Sequence, residues 1–190
     1  MIPILTTPRL VLRPVTTDDF LDICAYGRDE ETGQYMLHWP KTPEQIKEYI
    51  DECVASMSST TPTWFEFSVI HKDTAKMIGT ISLISEGDEA ELGWMLHPAF
   101  RRQGLMSEAA AEMIRYAFDS LDRSAVWATC TAQNIASVRL LEKLGMAVVL
   151  SEPQKKVIKN DREIFLDRLM YRMSRTEWEA RQEPKLQPGS

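Results

Sequence analysis

Cysteine is scarce in this 190-residue chain, and its three cysteines stand far apart. Cys24, Cys53 and Cys130 form no Cys-x-x-Cys pair, so the sequence indicates neither a disulfide framework nor a zinc site. A catalytic cysteine would need a partner histidine, and none of the three histidines shows such a pairing in the sequence. We therefore predict reduced thiols, a cytoplasmic location and no metal.

Long apolar runs and an excess of positive charge are also lacking. No window approaches the roughly 18 apolar residues of a membrane helix, and the N-terminus lacks the basic region of a signal peptide. The formal net charge is −6, whereas phosphate binding by nucleic-acid partners requires clustered Lys and Arg. The sequence thus predicts neither a membrane nor a nucleic acid as partner, and an acidic protein favours a cationic acceptor.

The chain is long enough to bury a hydrophobic core without disulfides or metal. Apolar periodicity and turn signals predict, in order, a strand over 9–13, helices over 17–26 and 43–57, strands over 64–70, 77–84 and 90–96, a helix over 106–121, a strand over 125–131, a helix over 134–144 and a strand over 165–173. This order predicts an α/β (α+β) domain over 1–174, with helices on both faces of a mixed, mostly antiparallel sheet. Residues 175–190 are predicted to form a short helix and a disordered polar tail.

A turn between strand and helix carries the chemical signal. The strand ends near Pro98, a turn with Arg101, Arg102 and Gly104 follows, and a helix begins at once. The first N–H groups of a helix lack internal partners, and a glycine lets an anion approach them. A P-loop is excluded because no Gly-Lys-Ser/Thr follows, and a dinucleotide fingerprint because there is one glycine rather than three. A plain turn with two surface arginines is the alternative.

Several motifs together resemble the GNAT N-acetyltransferases. Arg101-x-x-Gly104 resembles the family's Arg/Gln-x-x-Gly-x-Gly/Ala pyrophosphate loop, and residues 134–146 resemble its Asn-x-x-Ser-x-x-Leu-x-x-Lys-x-Gly-Phe segment. Glu91-x-Gly93-Trp94-x-Leu96-x-Pro98 and Ser107-Glu108-Ala109 resemble the branch that acetylates the N-terminal alanine or serine of ribosomal proteins. The opening Thr7-x-Arg9-Leu10-x-Leu12-Arg13 and the closing Asn160, Asp167 and Tyr171 extend the resemblance over residues 5 to 173.

The resemblance implies the GNAT fold with a six- to seven-stranded sheet, and direct transfer of acetyl from acetyl-CoA to a primary amine in a ternary complex. The acceptor would be a protein N-terminus or a small molecule. No covalent acyl-enzyme and no metal are implied, and the resemblance also allows a homodimer. Two alternatives stay open, a catalytically silent acetyl-CoA sensor or scaffold and an interaction domain without CoA.

By the same resemblance, main-chain amides from Arg102 to Ser107 cradle the pyrophosphate, the strand ending at Leu96 pairs with the pantetheine arm, and Asn134 binds that arm. The implied cofactor-binding residues are Met95, Leu96, His97, Arg101, Arg102, Gln103, Gly104, Leu105, Met106, Ser107, Asn134 and Ser137. Met106 stands where the family usually has Gly or Ala. Its place in the apolar stripe of the helix predicts that it points into the core.

Glu91 is the candidate general base, because a carboxyl on a covered strand has a raised pKa. The resemblance implies two candidate acids for the leaving thiolate, Ser137 and Tyr171. Main-chain N–H groups near Met95 are expected to meet the oxyanion. Residues 35–40 and a loop after Val149 are expected to wall the acceptor site. Tyr35, Trp39 and Glu91 are its candidate residues, with Trp39 over a cationic amine.

Overall fold

The computed structural model describes residues 2–27, 35, 42–159 and 162–182. Trp39, predicted at the acceptor site, lies outside the described residues. The strands are β1 Leu5–Thr6, β2 Leu10–Pro14, β3 Trp64–His71, β4 Lys76–Glu86, β5 Glu89–Leu96, β6 Ala125–Thr131, β7 Ala147–Lys159 and β8 Arg162–Ser174. The helices are α1 Phe20–Gly27, α2 Pro43–Ser58, α3 Leu105–Asp119, α4 Ile135–Leu144 and α5 Arg175–Gln182.

All eight of these strands form one sheet in the order β1-β2-β3-β4-β5-β6-β8-β7. Every neighbouring pair is antiparallel except β5 and β6, which are parallel. The parallel pair follows from the connection through α3, because parallel neighbours need a crossover and a helix supplies it. The predicted fold class, a mixed and mostly antiparallel sheet with helices on both faces, is confirmed, but the sheet has eight strands instead of the expected six to seven.

Strand β7 corrects one prediction. A loop was expected after Val149, but Val149 lies inside β7, which continues to Lys159. β7 pairs only with β8 and forms the edge of the sheet, so most of its side chains are exposed. A strand that is solvated on both faces lacks the apolar alternation that would reveal it in the sequence.

The two faces of the sheet are covered by different helices. Ala90 and Leu92 of β5 pack in the large core cluster with the apolar side of α3, whereas Met95 packs with α1 and α2. Successive side chains of a strand point to opposite faces. Glu91 and Gly93 therefore lie on the face of Met95, which we call the α1/α2 face, and the opposite one is the α3 face.

Local signals in the sequence fix the ends of the helices. Thr42 and Gln45 form a reciprocal capping box at the start of α2, with Pro43 at the first turn. Gly145 ends α4 in the left-handed conformation, with a φ of 82°. The short last helix that the sequence predicts begins with a capping box, in which the Ser174 N–H donates to Glu177 Oε2 at 2.7 Å. Helix α5 then packs its Trp178 against Phe118, with ring centroids 5.1 Å apart.

Candidate functional site

The central feature of the site is a gap between the two parallel strands. β5 pairs with β6 only through Glu89, Ala90 and Glu91, opposite Ala125, Val126 and Trp127. On its other side, β5 stays paired with β4 as far as Leu96. From Leu92 onward, the main chain of β5 on the side of β6 therefore has no strand partner among the described residues. Such an edge can pair with an extended ligand that brings its own amides.

Gly79 holds the far side of β5 in place. It lies opposite Leu96, and a Cβ on Gly79 would come within 2.1 Å of the Met95 carbonyl oxygen. The main chains of β4 and β5 thus approach more closely here than any side chain would allow. This contact lies on the strand that borders the gap.

We expect Gly79→Ala to destabilise the protein by roughly 1–3 kcal/mol, because backbone would have to move to relieve the overlap. The measurement is the urea dependence of unfolding. Gly93→Ala is the control, since its Cβ would meet only the Ser82 Oγ at 2.8 Å, and that side chain can rotate away. Equal free energies of unfolding for the two variants would contradict the role of Gly79.

The turn after β5 has the shape of an anion site. Arg102 and Gly104 both have positive φ values, 62° and 74°, and α3 begins at Leu105. The side-chain Nε2 of Gln103 donates to the Ala99 carbonyl oxygen at 3.3 Å and so joins the two ends of the turn. Left-handed residues next to a helix start direct successive N–H groups into a concavity, which attracts anions.

Two cations converge on this turn from distant parts of the chain. The position that a Cβ of Gly104 would occupy is 3.7 Å from Arg9 Nη2 and 3.9 Å from Lys143 Nζ. Arg9 is held there, because its Nε donates to Glu108 Oε2 at 2.7 Å and its Nη1 to the Gln103 carbonyl at 3.0 Å. Free N–H groups, two cations and a glycine without a side chain are a donor set that suits a diphosphate.

The sequence did not single out Arg9 and Lys143 as functional. Both stand within segments that resemble the family, but their convergence on Gly104 depends on the packing of β2, α3 and α4. Thr7 and Arg9 also favour the ionised form of Glu108. Burial alone would raise the pKa of this carboxyl, yet hydrogen bonds from Thr7 and Arg9 bring it below its usual range.

Glu91 lies at the point where the two strands separate. It is half-buried on the α1/α2 face, opposite Ile84 of β4 and Trp127 of β6. Burial, followed by the negative charge of Glu86, raises the pKa of its carboxyl, and Arg168 opposes that shift. A raised carboxyl pKa moves titration toward neutral pH, as a general base requires.

Asn134 and Ser137 lie at the start of α4, where β6 has just ended. Because β5 and β6 are parallel, the N-termini of α3 and α4 both lie at the end of the sheet where the gap opens. The Asn134 Oδ1 accepts a hydrogen bond from the Ser137 N–H at 3.2 Å, so this oxygen caps the helix. The Asn134 Nδ2 donates to no other group among the described residues.

The remaining predicted site residues differ in burial and in the face of the sheet on which they lie. Met106 is buried in the core as predicted, and the His97 Nδ1 accepts from the Ala99 N–H at 3.1 Å. Tyr35 is exposed. Tyr171 belongs to the core cluster on the α3 face, opposite to the face of Glu91, and its hydroxyl has no hydrogen bond within the described residues. The structure therefore does not bring the side chains of Tyr171 and Glu91 to one face.

Known proteins share the sequence pattern. The model of the acetyltransferase (GNAT) domain family matches residues 9–147. The chain is 34% identical over 149 residues to the uncharacterized N-acetyltransferase YoaA of Bacillus subtilis. The matched segment covers 76% of this chain and 83% of that relative. Among the described residues, no helix has the length and apolarity needed to cross a membrane.

Solved structures share the fold. The spermidine N-acetyltransferase of Vibrio cholerae, in complex with CoA and spermine, is 16% identical with a TM-score of 0.77, over 90% of this chain and 99% of that one. An acetyltransferase of Salmonella typhimurium that modifies the N-terminal serine of a 50S ribosomal subunit protein is 16% identical with a TM-score of 0.78, over the same shares of the two chains. At these identities the likeness concerns the fold alone.

Proposed function

The chain belongs to the GNAT acetyltransferase family, and on that premise we propose that it transfers acetyl from acetyl-CoA directly to a primary amine in a ternary complex. The thioester supplies the activated acetyl group. The observation that carries the proposal is the gap between β5 and β6, which opens beside the turn at Gly104. A ligand with a diphosphate at one end and an amide-containing arm at the other fits both features.

The binding roles follow from this placement. In this proposal, the diphosphate is held by Arg9, by Lys143 and by the main-chain N–H groups from Arg102 to Ser107. The free edge of β5 around Met95 and Leu96 pairs with the pantetheine arm, and the Asn134 Nδ2 donates to it. Met106 contributes packing under the turn rather than a contact with phosphate, because its side chain is buried.

Proton transfer requires a base and an acid. Glu91 is the proposed base, and its position at the strand separation and its raised pKa support this role. Ser137 and Tyr171 remain the two candidates for the acid. The position of Ser137 at the open end of the gap supports the first candidate. For Tyr171, which is buried, the support is a hydroxyl that makes no hydrogen bond within the described residues.

We expect Lys143→Ala and Arg9→Met each to raise the Kd for acetyl-CoA about three- to tenfold at low salt, since exposed charge pairs contribute about 1 kcal/mol. The difference in Kd between each variant and the wild type should be smaller at high salt, because salt also screens the attraction of the wild-type cations for the ligand. Isothermal titration at two salt concentrations measures both. Lys47→Ala removes a cation from an exposed pair on α2 and is the matched control. Unchanged affinity in both variants would contradict this diphosphate site.

The test of the function is the release of CoA thiol from acetyl-CoA with N-terminal peptides, polyamines, amino acids and aminoglycosides as acceptors. Release with one class establishes the transferase and identifies its acceptor together. Binding of acetyl-CoA without release in any class would favour a sensor. Met106, which departs from the usual Gly or Ala of the family, is buried in the core, so this departure gives no support to the sensor.

A further inference from the structure

Helix α5 contacts the C-terminal ends of both α3 and α4, and none of the roles proposed above involves it. It spans Arg175–Gln182, outside the residues 9–147 that the family model matches. Two of its arginines, Arg175 and Arg181, each donate a hydrogen bond to a main-chain carbonyl at the end of one of these helices. The two contacts are of the same kind, but they lie at very different distances from the turn at Gly104.

Arg175 binds the end of α3 that is remote from the site. Its Nη2 donates to the Phe118 carbonyl oxygen and to Asp122 Oδ1, both at 2.7 Å. Its guanidinium also lies 5.7 Å from the centroid of the Phe118 ring. Because a helix rises 1.5 Å per residue, the Phe118 carbonyl lies roughly 20 Å along α3 from Gly104. Arg175 therefore fixes α5 to the core without approaching the proposed diphosphate site.

Arg181 binds the end of α4, which is close to the site. Its Nη2 donates to the Gly145 carbonyl oxygen at 2.8 Å. Gly145 has a φ of 82°, and the Arg181 guanidinium fills the space that a Cβ of Gly145 would take. Glycine thus permits both the left-handed end of the helix and the approach of the cation. A cation beside the last carbonyls of a helix also interacts favourably with the helix dipole.

The turn that Arg181 holds contains one of the two cations of the site. Gly145 N–H donates back to the Glu142 carbonyl at 2.9 Å, so Lys143 lies inside the turn that Gly145 closes. Lys143 Nζ is 3.9 Å from the position that a Cβ of Gly104 would occupy. A displacement of this turn would therefore displace the ammonium from the place where the diphosphate is proposed to lie.

A groove of about 580 Å³ runs beside the same turn. Among the residues that line it are Glu108 of α3, Leu144 at the end of α4, and Trp178 and Arg181 of α5. The end of α4 thus borders open space on the side of this groove. Because helix ends fray, we expect the hydrogen bond from Arg181 to restrict the positions that Lys143 can adopt.

We propose that Arg181 is a positioning residue for the cofactor: it holds the Gly145 carbonyl, keeps the last turn of α4 in place and so directs Lys143 toward Gly104. This inference rests on the proposed function. Arg181 acts through Lys143 and does not touch the ligand. Helix α5, although it lies outside the matched segment of the family, thereby contributes to the affinity for acetyl-CoA.

The test is a double-mutant cycle on the Kd for acetyl-CoA, measured by isothermal titration at low salt. Arg181→Met should raise the Kd about three- to fivefold, because the Lys143 ammonium is displaced. The double variant Arg181→Met/Lys143→Ala should bind no more weakly than Lys143→Ala alone, since without Lys143 there is no ammonium left to position. Arg181→Lys keeps a donor for the Gly145 carbonyl but not the planar guanidinium, and should restore part of the affinity.

Arg175→Met is the matched control, because it removes the corresponding contact at the end of α3. Both methionine variants should lower the Tm by roughly 2–4 °C, but the Kd of Arg175→Met should stay within about 1.5-fold of the wild type, since its contact is remote from Lys143. Multiplication of the two single effects in the double variant would show that Arg181 acts on the ligand itself, and would overturn the inference. An unchanged Kd in a folded Arg181→Met protein, or equal weakening by Arg175→Met, would also overturn it. If the wild type did not bind acetyl-CoA, the proposed function would fail and the inference with it.

Discussion

Glu91→Gln is expected to lower kcat about 100-fold at pH 8, because a positioned general base contributes roughly 10²–10⁴ to the rate. Glutamine keeps the size of the side chain but cannot accept the proton of the amine. Within the described part of the chain, Glu91 makes no helix-capping contact and no ion pair, and it lies at the separation of β5 and β6 rather than on the turn at Gly104. The Kd for acetyl-CoA should therefore stay within about twofold of the wild type. Steady-state rates and isothermal titration measure the two quantities separately.

The neighbouring Glu86 provides the matched control. Its negative charge raises the pKa of Glu91, so its removal should lower that pKa. The pH–rate profile of Glu86→Gln should keep the plateau of the wild type while its acid limb moves to lower pH, because the base becomes ionised at lower pH. If the plateau rate of Glu86→Gln fell as far as that of Glu91→Gln, the loss of negative charge, and not the loss of a base, would explain the effect. Rates of Glu91→Gln equal to the wild type at every pH would remove Glu91 from the mechanism.

The parts of this molecule that were predictable depend on local signals. Helix α4 carries its own start and stop, Asn134 as cap and Gly145 as the left-handed end, and the predicted range of 134–144 differs from the helix only by including the cap. The strand over 125–131 is a short apolar run of the kind buried in the middle of a sheet, and its predicted bounds are those of β6. The capping box of Ser174 and Glu177 likewise lies within four residues. In each case the residues that decide the structure are neighbours in the chain.

The parts that were missed depend on partners far away in sequence. β7 is recognisable only through its pairing with β8, because its side chains are mostly exposed. Arg9 and Lys143 meet at Gly104 only after β2 and α4 have packed around α3. The placement of Ser82 opposite both Glu66 and Gly93 depends on the registers of two strand pairs, and a slip by one residue would turn Ser82 to the other face.

The faces of the sheet explain why motif residues alone could not define the active site. Glu91 and Tyr171 both stand in segments that resemble the family, yet β5 and β8 turn them to opposite faces. Among the described strands, β5 and β6 are neighbours that separate after a short pairing, and the gap between them offers a passage between these faces. A role for Tyr171 as the acid therefore requires the thioester sulfur to lie within the gap. Ser137, at the end of the gap, does not depend on that condition.

Gly104→Val is expected to raise the Kd for acetyl-CoA roughly 10- to 100-fold, which corresponds to the loss of hydrogen bonds to a charged group worth about 1.5–3 kcal/mol. Gly104 has a φ of 74°, a conformation that a β-branched residue avoids. The new side chain would also occupy the space between Arg9 Nη2 and Lys143 Nζ, where the diphosphate is proposed to lie. Isothermal titration with acetyl-CoA measures the change.

Gly87→Val separates backbone strain from loss of the site. Gly87 also has a positive φ, of 64°, but it lies in the turn between β4 and β5, and a Cβ there would meet nothing within 4 Å. Both valines should therefore lower the free energy of unfolding by a similar amount, about 1–2 kcal/mol for a left-handed residue. Only the substitution at Gly104 should weaken the binding of acetyl-CoA. A folded Gly104→Val protein with wild-type affinity would contradict the assignment of this turn to the diphosphate, and equal weakening by Gly87→Val would show that strain alone is responsible.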